Sequence, residues 1–169
     1  AAARLLDDYD QDVFSKADYF DTLRIYVGSH RRELEDGRVI PWIDENLDPY
    51  SGEWLARRIK IEKGRFDGRG DHYNHSGFAD LVITGLVGLR PRPDAVVEVN
   101  PLLPSGTWDW FALDHVRYAG RRLTVRWDRT GERSGRGKGL RVLADGREIA
   151  ASETLSRVRG RLPSSSAPR

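Results

Sequence analysis

The chain has 169 residues, of which 38% are hydrophobic and 32% charged, and this composition is typical of a globular domain rather than of a disordered chain. No apolar run approaches the roughly 20 residues of a transmembrane helix, so we expect no membrane partner. Because the chain contains no cysteine, disulfide frameworks and thiolate metal sites are excluded.

The charge is unevenly distributed along the chain. From Arg117 to the end there are 14 basic residues against 5 acidic ones, although the net charge of the whole chain is only +2. An arginine-rich end of this kind can bind phosphates or nucleic acid. Solvated strand faces and tails explain most such charges, however, so nucleic acid is not the favoured partner.

The first strong periodic pattern follows Lys16. Apolar and aromatic residues recur there at helical spacing and predict an amphipathic helix from Lys16 to about Leu34, followed by a turn at Glu35-Asp36-Gly37. A second segment, from Gly77 to Leu89, is apolar almost all round and predicts a buried helix with Ser76 as its N-cap. Gly85 and Gly88 would weaken such a helix, which indicates close packing against a neighbour.

The period changes after Pro93. Short runs rich in β-branched and aromatic residues predict strands, and Asp145-Gly146 is a hairpin-turn signal. The composition after about Ser156 predicts a disordered tail. The predicted strand runs are Val96 to Val99, Trp108 to Tyr118, Arg122 to Asp128, Leu140 to Leu143 and Glu148 to Ala150.

The segment from Trp42 to Trp54 carries four carboxylates and cannot be a regular helix, because Pro49 disfavours the helical conformation of the residue before it. Carboxylates on a loop between tryptophans suit glycoside cleavage, which needs one protonated and one ionised carboxyl group. A polar turn with two core tryptophans explains the same composition. The loop is therefore a candidate catalytic site. The alternative is that these residues only form a polar turn.

Three blocks of sequence resemble glycoside hydrolase family 63 and the bacterial mannosylglycerate-hydrolase-like enzymes. The first is Glu45-Asn46-Leu47-Asp48-Pro49-Tyr50-Ser51-Gly52, the second is Asp71 to Asp80, and the third runs from Val99 through Trp108-Asp109-Trp110-Phe111 to Gly131. Enzymes of that group have an (α/α)6 catalytic domain of six helical hairpins, often followed by a small β-domain. The resemblance therefore implies a fold that is α+β by segment, with a helical hairpin from an (α/α)6 barrel followed by a small antiparallel β-sandwich.

The same resemblance implies the domain limits and the activity. Residues 1–93 would be the C-terminal helical portion of the glycosidase domain, residues 94–155 the β-sandwich, and residues 156–169 the tail. Glu45 matches the glutamate assigned as general base of an inverting hydrolysis. The general acid, an aspartate far upstream in those enzymes, has no match here, so we expect this segment to be inactive alone and to depend on the upstream remainder of the same catalytic domain.

The other candidate residues would bind the carbohydrate substrate. They are Trp42, Asp44, Asp48, Trp54, Tyr73 and Asn74. Each has an ordinary structural explanation as well, because tryptophan is often a core residue and Asn often caps a helix.

Neither a metal nor a cofactor is expected. His72 and His75 have a spacing compatible with metal ligation but lack an evident third ligand, so hydrogen bonding before a helix is the favoured explanation. The glycine-rich run Gly131 to Gly139 lacks the order of a phosphate-binding loop and falls between predicted strands, which favours a hairpin loop.

Two hypotheses of different class remain open. The first is the C-terminal segment of an inverting glycoside hydrolase with Glu45 as base. The second is a non-catalytic carbohydrate-binding or interaction module in which the β-sandwich binds and Glu45 is structural.

Overall fold

The computed structural model describes residues 15–28, 30–41, 51 and 77–164. The chain forms two compact units, one with the residues up to Phe20 and from Phe78 onward, the other with residues 21–77. Within the described part of the chain, neither helical segment has the length and hydrophobicity of a transmembrane span. The elements are helix α1 (Lys16–Gly28), strands β1 (Arg31–Glu33) and β2 (Val39–Pro41), helix α2 (Phe78–Asp80) with a π-helical turn (Leu81–Leu86), and strands β3 (Leu89–Arg90), β4 (Val96–Val99), β5 (Trp110–Tyr118), β6 (Arg121–Asp128), β7 (Gly139–Ala144), β8 (Arg147–Ser152) and β9 (Val158–Arg161).

Helix α1 begins where the sequence predicts but ends earlier. Its start is fixed by a reciprocal cap, in which the Asp18 backbone N–H donates to Ser15 Oγ (3.1 Å) and the Ser15 N–H donates to the Asp18 carboxylate (2.8 Å). The predicted extension to Leu34 is wrong, because β1 and β2 pair antiparallel as a hairpin across that region.

The predicted fold class is wrong for the described residues. They form three antiparallel sheets and two short helical segments, and no helical hairpin of an (α/α)6 barrel is among them. The second helical segment ends at Leu86 rather than Leu89 and is not buried all round, since Leu81 is 38% exposed. It ends there because Gly88 adopts φ +85°, a conformation that suits glycine and turns the chain into β3.

The prediction that Gly85 and Gly88 mark close packing is confirmed. A Cβ at Gly85 would collide with the side chain of Tyr19, and one at Gly88 would collide with the backbone of Asn100. The Tyr19 hydroxyl donates to the Leu81 carbonyl oxygen at 2.7 Å, so the phenol ring occupies the space that a side chain at Gly85 would need.

The unit from Phe78 onward contains two antiparallel sheets, of order β3-β4-β9 and β5-β6-β7-β8. The strands predicted at Val96–Val99, Arg122 to Asp128 and Leu140 to Leu143 are confirmed as β4, β6 and β7. Asp145 and Gly146 have φ of +49° and +81°, as the two-residue turn between β7 and β8 requires.

The core follows from strand alternation. On β6, Leu123, Val125 and Trp127 are buried while the residues between them face the other side of the sheet. The largest fully buried side chains come from both sheets and from the segment after β4: Val97, Val99, Asn100, Pro101, Leu102, Leu103, Leu123, Val125, Leu140 and Val142.

The predicted disorder after Ser156 is wrong for residues 158–161. Strand β9 pairs antiparallel with β4, with Gly160 opposite Val97 and Val158 opposite Val99. The composition of this segment is polar, but its backbone forms hydrogen bonds with the edge of β4. A side chain at Gly160 would collide with the carbonyl of Ile149 on β8, so this strand also packs tightly against its other neighbour.

Glu98 on β4 is the centre of a charge cluster that we name the Glu98 cluster (Glu98, Arg92, Arg157 and Arg159). Its carboxylate, 7% exposed, accepts from Arg159 Nε at 2.8 Å and Arg92 Nη1 at 3.2 Å, and Arg157 Nε lies 3.7 Å away. Burial would raise the pKa of Glu98, but the hydrogen bond from Arg159 and the charges of the three arginines outweigh it and leave the pKa lowered.

Candidate functional site

A cleft of about 480 Å³ opens on the face of the four-stranded sheet opposite the core, and we name it the arginine cleft. Strand alternation explains its position, because residues 122, 124 and 126 of β6 face away from the buried side. The cleft is lined by Ala112, Asp114, His115, Arg122, Thr124, Arg126, Ser134, Arg136, Leu143, Asp145 and Gly146.

Three arginines meet at one end of this face. Arg126 on β6 is directly opposite Arg141 on β7, and like charges in that register repel each other. Arg126 Nη2 donates to the backbone carbonyl of Arg136 at 2.7 Å, which fixes the loop that carries the third arginine. The Nε atoms of Arg126 and Arg141 are buried without a hydrogen-bond partner among the described residues.

The electrostatics of this end are unfavourable for a guanidinium. Partial burial lowers the pKa of Arg126, and the positive charges of Arg136 and Arg141 lower it further. Arg141 Nη1 forms an ion pair with Glu148 at 2.5 Å. Among the described residues, no carboxylate lies within ion-pairing distance of Arg126 or Arg136, so positive charge is left over.

A β-bulge shapes the middle of the cleft. Leu113 pairs with Val125 and Val116 with Leu123, so two residues of β5, Asp114 and His115, face a single residue of β6. His115 has φ of +56°, which is strained for a residue with a side chain. The bulge thereby directs both an acid and an imidazole into the cleft.

Asp114 is held in place by hydrogen bonds. Its carboxylate accepts from the Thr124 hydroxyl and from the His115 backbone N–H at 2.9 Å, and His115 Nδ1 lies 3.3 Å from Oδ2. The hydrogen bond from Thr124 lowers the pKa of Asp114 and outweighs the effect of desolvation. Asp114 is therefore ionised at neutral pH and can accept hydrogen bonds from a ligand.

The opposite end of the cleft has an acid that is already paired. Asp145 accepts from the Arg122 backbone N–H at 3.0 Å and from Arg121 Nη1 at 3.1 Å. The backbone hydrogen bond is the largest cause of its lowered pKa.

The glycine-rich loop between β6 and β7 forms one wall, and its predicted role as a hairpin loop is confirmed by the antiparallel pairing of these strands. The Asp128 carboxylate accepts from the backbone N–H groups of Gly131 (2.8 Å) and Ser134 (2.7 Å). Burial would raise the pKa of Asp128, but these backbone hydrogen bonds lower it overall. The loop is thus anchored at the end of β6, which places Ser134 and Arg136 at the cleft.

Two tryptophans at and just before the start of β5 are exposed. Trp108 and Trp110 are 40% and 44% exposed, although tryptophan is usually well covered in folded domains. Trp110 lies in the same outward row of β5 as Ala112 and Asp114, and Arg133 Cζ is 4.9 Å from its ring centroid. Trp108 contacts Phe20 edge to face, with 6.0 Å between the ring centroids.

The candidate residues predicted from the sequence lie outside the described residues. These are Glu45, Trp42, Asp44, Asp48, Trp54, Tyr73 and Asn74, together with His72 and His75. Their roles stay predictions. Within the described part of the chain, no group of three or more His, Cys, Asp or Glu residues is close enough to hold a metal ion.

The residues of the arginine cleft were missed by the sequence reasoning. The alternation of β6 does predict that Thr124 and Arg126 face outward, but the register that places Arg126 opposite Arg141 has no local signal. The bulge at Asp114 and His115 has none either, since no glycine or proline marks it.

Two comparisons with known proteins bear on this β region. Residues 89–151 match the glycosyl hydrolase family 65 C-terminal domain. This segment includes β3 to β7, most of β8 and the arginine cleft. The matching family is 65, whereas the sequence resemblance pointed to family 63.

A solved structure described as a sialidase is similar over most of the chain. It is 42% identical, its TM-score is 0.70, and the match covers 92% of this chain and 13% of that chain. The chain thus spans a small part of the length of the relative it matches. The comparisons thus show a similarity of this chain to a glycoside hydrolase C-terminal domain and to part of a sialidase.

Proposed function

We propose that the chain is the C-terminal segment of a glycoside hydrolase that inverts the anomeric centre, with Glu45 as the general base. The match of residues 89–151 to a glycoside hydrolase C-terminal domain is the observation that carries the proposal. The low coverage of the sialidase chain supports the expectation that further catalytic groups belong to a longer protein. The fold of the catalytic part is left open.

The proposed chemistry divides between two carboxyl groups. Glu45, ionised, removes a proton from water on the face of the sugar opposite the leaving group, and an acid outside this chain protonates the leaving oxygen. Trp42, Asp44, Asp48, Trp54, Tyr73 and Asn74 bind the substrate in this proposal.

The test is Glu45→Gln in the longer enzyme. Loss of a general base lowers turnover by about 10²–10⁴-fold, and it also removes the acidic limb of the pH profile of kcat/KM. Glu35→Gln, an exposed carboxylate in the turn between β1 and β2, is the matched control and should keep the wild-type profile. A Glu45→Gln enzyme with near-normal turnover, or with an unchanged acidic limb, would disprove the assignment.

A second candidate function is saccharide binding by the outer face of the four-stranded sheet. The observation in its favour is the row on β5 in which exposed Trp110 adjoins a cleft with ionised Asp114. A tryptophan face covers the apolar side of a sugar ring, and carboxylates accept from sugar hydroxyls.

This second function is tested on a glycan array with the 169-residue chain. Trp110→Ala should weaken binding about tenfold, as expected for loss of a large aromatic contact. Val39→Ala, which shortens an exposed apolar residue of β2, is the control. Binding that survives Trp110→Ala unchanged would argue against this face.

A further inference from the structure

The excess positive charge of the arginine cleft has no counterpart among the described side chains. Five arginines lie in or beside it (Arg121, Arg122, Arg126, Arg136 and Arg141), against three carboxylates (Asp114, Asp145 and Glu148). Asp145 forms an ion pair with Arg121 and Glu148 with Arg141, whereas Asp114 accepts a hydrogen bond from Thr124 and its pKa is lowered further by the charge of Arg136. Arg122, Arg126 and Arg136 have no carboxylate within ion-pairing distance among the described residues, and Arg126 is in addition exposed to the positive charges of Arg136 and Arg141.

This arrangement of arginines destabilises the folded protein when no anion is bound. Arg126 and Arg141 face each other across the ladder, and the Arg126 side chain also contacts the backbone of the loop that carries Arg136. An anionic group between the guanidinium groups would remove the repulsion and satisfy their planar donors, which match the geometry of a carboxylate.

We propose that the arginine cleft binds an acidic saccharide and that Arg126, Arg136 and Arg141 receive its carboxylate. This proposal rests on saccharide binding by the same face and names the class of sugar. The rest of the cleft suits the uncharged part of such a ligand, because Thr124, Ser134 and Asp114 provide hydrogen-bonding groups for hydroxyls. Exposed Trp110 lies beside the cleft, in the same outward row of β5 as Asp114.

The two acids in the cleft argue against a nucleic-acid ligand. Asp114 and Asp145 line the same cavity as the arginines, and both have lowered pKa values, so they carry negative charge at neutral pH. A chain of phosphates lying along the cleft would be repelled at both positions. A sugar with a single carboxylate places its charge only at the arginine end and offers hydroxyl donors to the acids.

The test is calorimetric titration of the 169-residue chain with trisaccharides that each carry one uronate (galacturonate, mannuronate or guluronate) and two neutral sugars. Each is compared with its methyl ester, which keeps the rings and removes the charge. Inorganic sulfate and a single-stranded DNA are the other two probes. At least one trisaccharide should bind, and its ester about tenfold more weakly or not at all, because charge-assisted hydrogen bonds are lost.

Substitutions locate the site. Arg136→Gln, at an exposed loop position, should weaken binding about tenfold, and Glu148→Gln should strengthen it severalfold because it frees Arg141. Arg161→Gln, at an exposed position of β9 in the other sheet, is the control and should change nothing. Circular dichroism of each variant checks that the fold is kept.

Each contrary result would overturn a specific part of the proposal. Equal binding of trisaccharide and ester overturns this inference and leaves saccharide binding intact, whereas no binding by either overturns both. Sulfate that binds as tightly as the trisaccharide shows a simple anion site, and tighter binding of DNA shows a nucleic-acid site. Unchanged affinity in Arg136→Gln overturns the assigned location. None of these results bears on Glu45, whose test is separate.

Discussion

Two arginine clusters in this protein differ in whether each arginine lies near a carboxylate. In the Glu98 cluster, three arginines surround a buried carboxylate that accepts hydrogen bonds from two of them. In the arginine cleft, Arg126 and Arg136 have no carboxylate within ion-pairing distance among the described residues, and Arg126 faces another arginine. Every arginine of the first cluster has a carboxylate within ion-pairing distance, whereas Arg126 and Arg136 of the second have none among the described residues.

The difference shows how a structural cluster can be separated from a candidate binding site by charge accounting. A cluster in which every arginine lies near a carboxylate stabilises the fold, and removing that carboxylate should cost stability. Arginines that face one another without a carboxylate cost stability in the free protein, as binding sites often do, so removing one of them should cost little or even stabilise. The following predictions test this contrast.

The largest expected effect is that of Glu98→Ala. It leaves Arg92, Arg157 and Arg159 in mutual repulsion beside β4, and we expect the free energy of unfolding to fall by about 3 kcal/mol, the lower end for breaking a buried charge cluster because the arginines are partly exposed. Urea denaturation measures it. Glu153→Ala, whose exposed carboxylate is 3.8 Å from Lys138, is the control and should cost less than about 0.5 kcal/mol. Equal losses would contradict the special role of Glu98.

The next effect is a loss of stability in acid. The folded-state pKa values of Glu98 and Asp94 are below their ordinary values of 4.5 and 3.8, that of Asp94 at about 2 because Arg92 donates to it. The unfolded chain therefore binds more protons than the folded chain as the pH is lowered. The stabilisation from these two carboxylates is fully present above about pH 5 and is lost as the pH falls through their folded-state pKa values. Urea midpoints measured across this range should fall less steeply for Glu98→Gln. A parallel decline in the variant would show that other groups control acid unfolding.

A matched pair of substitutions compares the clusters directly. Arg159→Thr removes a donor from Glu98 and should lower the free energy of unfolding by about 1 kcal/mol. Arg126→Thr removes one of two facing arginines and should leave stability unchanged or raise it by up to about 0.5 kcal/mol. Both sites are on strands, where threonine is favourable. Destabilisation of both variants to the same extent would remove the distinction between the clusters.

The smallest expected effect concerns the bulge. His115→Gly should raise the free energy of unfolding by about 0.5 kcal/mol, because glycine tolerates φ of +56° without strain. Ala119→Gly, at φ of +46° in the turn between β5 and β6, isolates the backbone effect. If His115→Gly destabilises the protein while Ala119→Gly stabilises it, the contact between His115 and Asp114 outweighs the backbone strain. The bulge would then stabilise the fold rather than store strain.

The sequence predicts the local parts of the fold well. The alternation of apolar and polar residues predicted β6, and the Asp-Gly pair predicted the turn after β7. Gly85 and Gly88 predicted close packing, and the neighbours are Tyr19 and Asn100, respectively. These features depend on residues adjacent in sequence or on the space around one residue. The helical hairpin was inferred from resemblance instead, and the described residues contradict it.

What the sequence could not predict depends on pairing at long range. The polar composition of β9 predicts disorder, yet residues 158–161 complete the sheet beside β4, some 60 positions earlier. The arginine cleft likewise exists only because the register of β6 and β7 puts Arg126 opposite Arg141. The predicted catalytic residue, Glu45, lies outside the described residues and awaits its own test.

Strand β9 decides where the gene for this domain can be cut. A clone that stops near residue 155, where composition suggests that the useful sequence ends, would lack the outer partner of β4 and would leave an open backbone edge next to an acid that has lost two of its three cations. Such a product would be prone to self-association during expression. Recombinant forms should therefore extend past Leu162, whose backbone N–H still bonds to the Ala95 carbonyl.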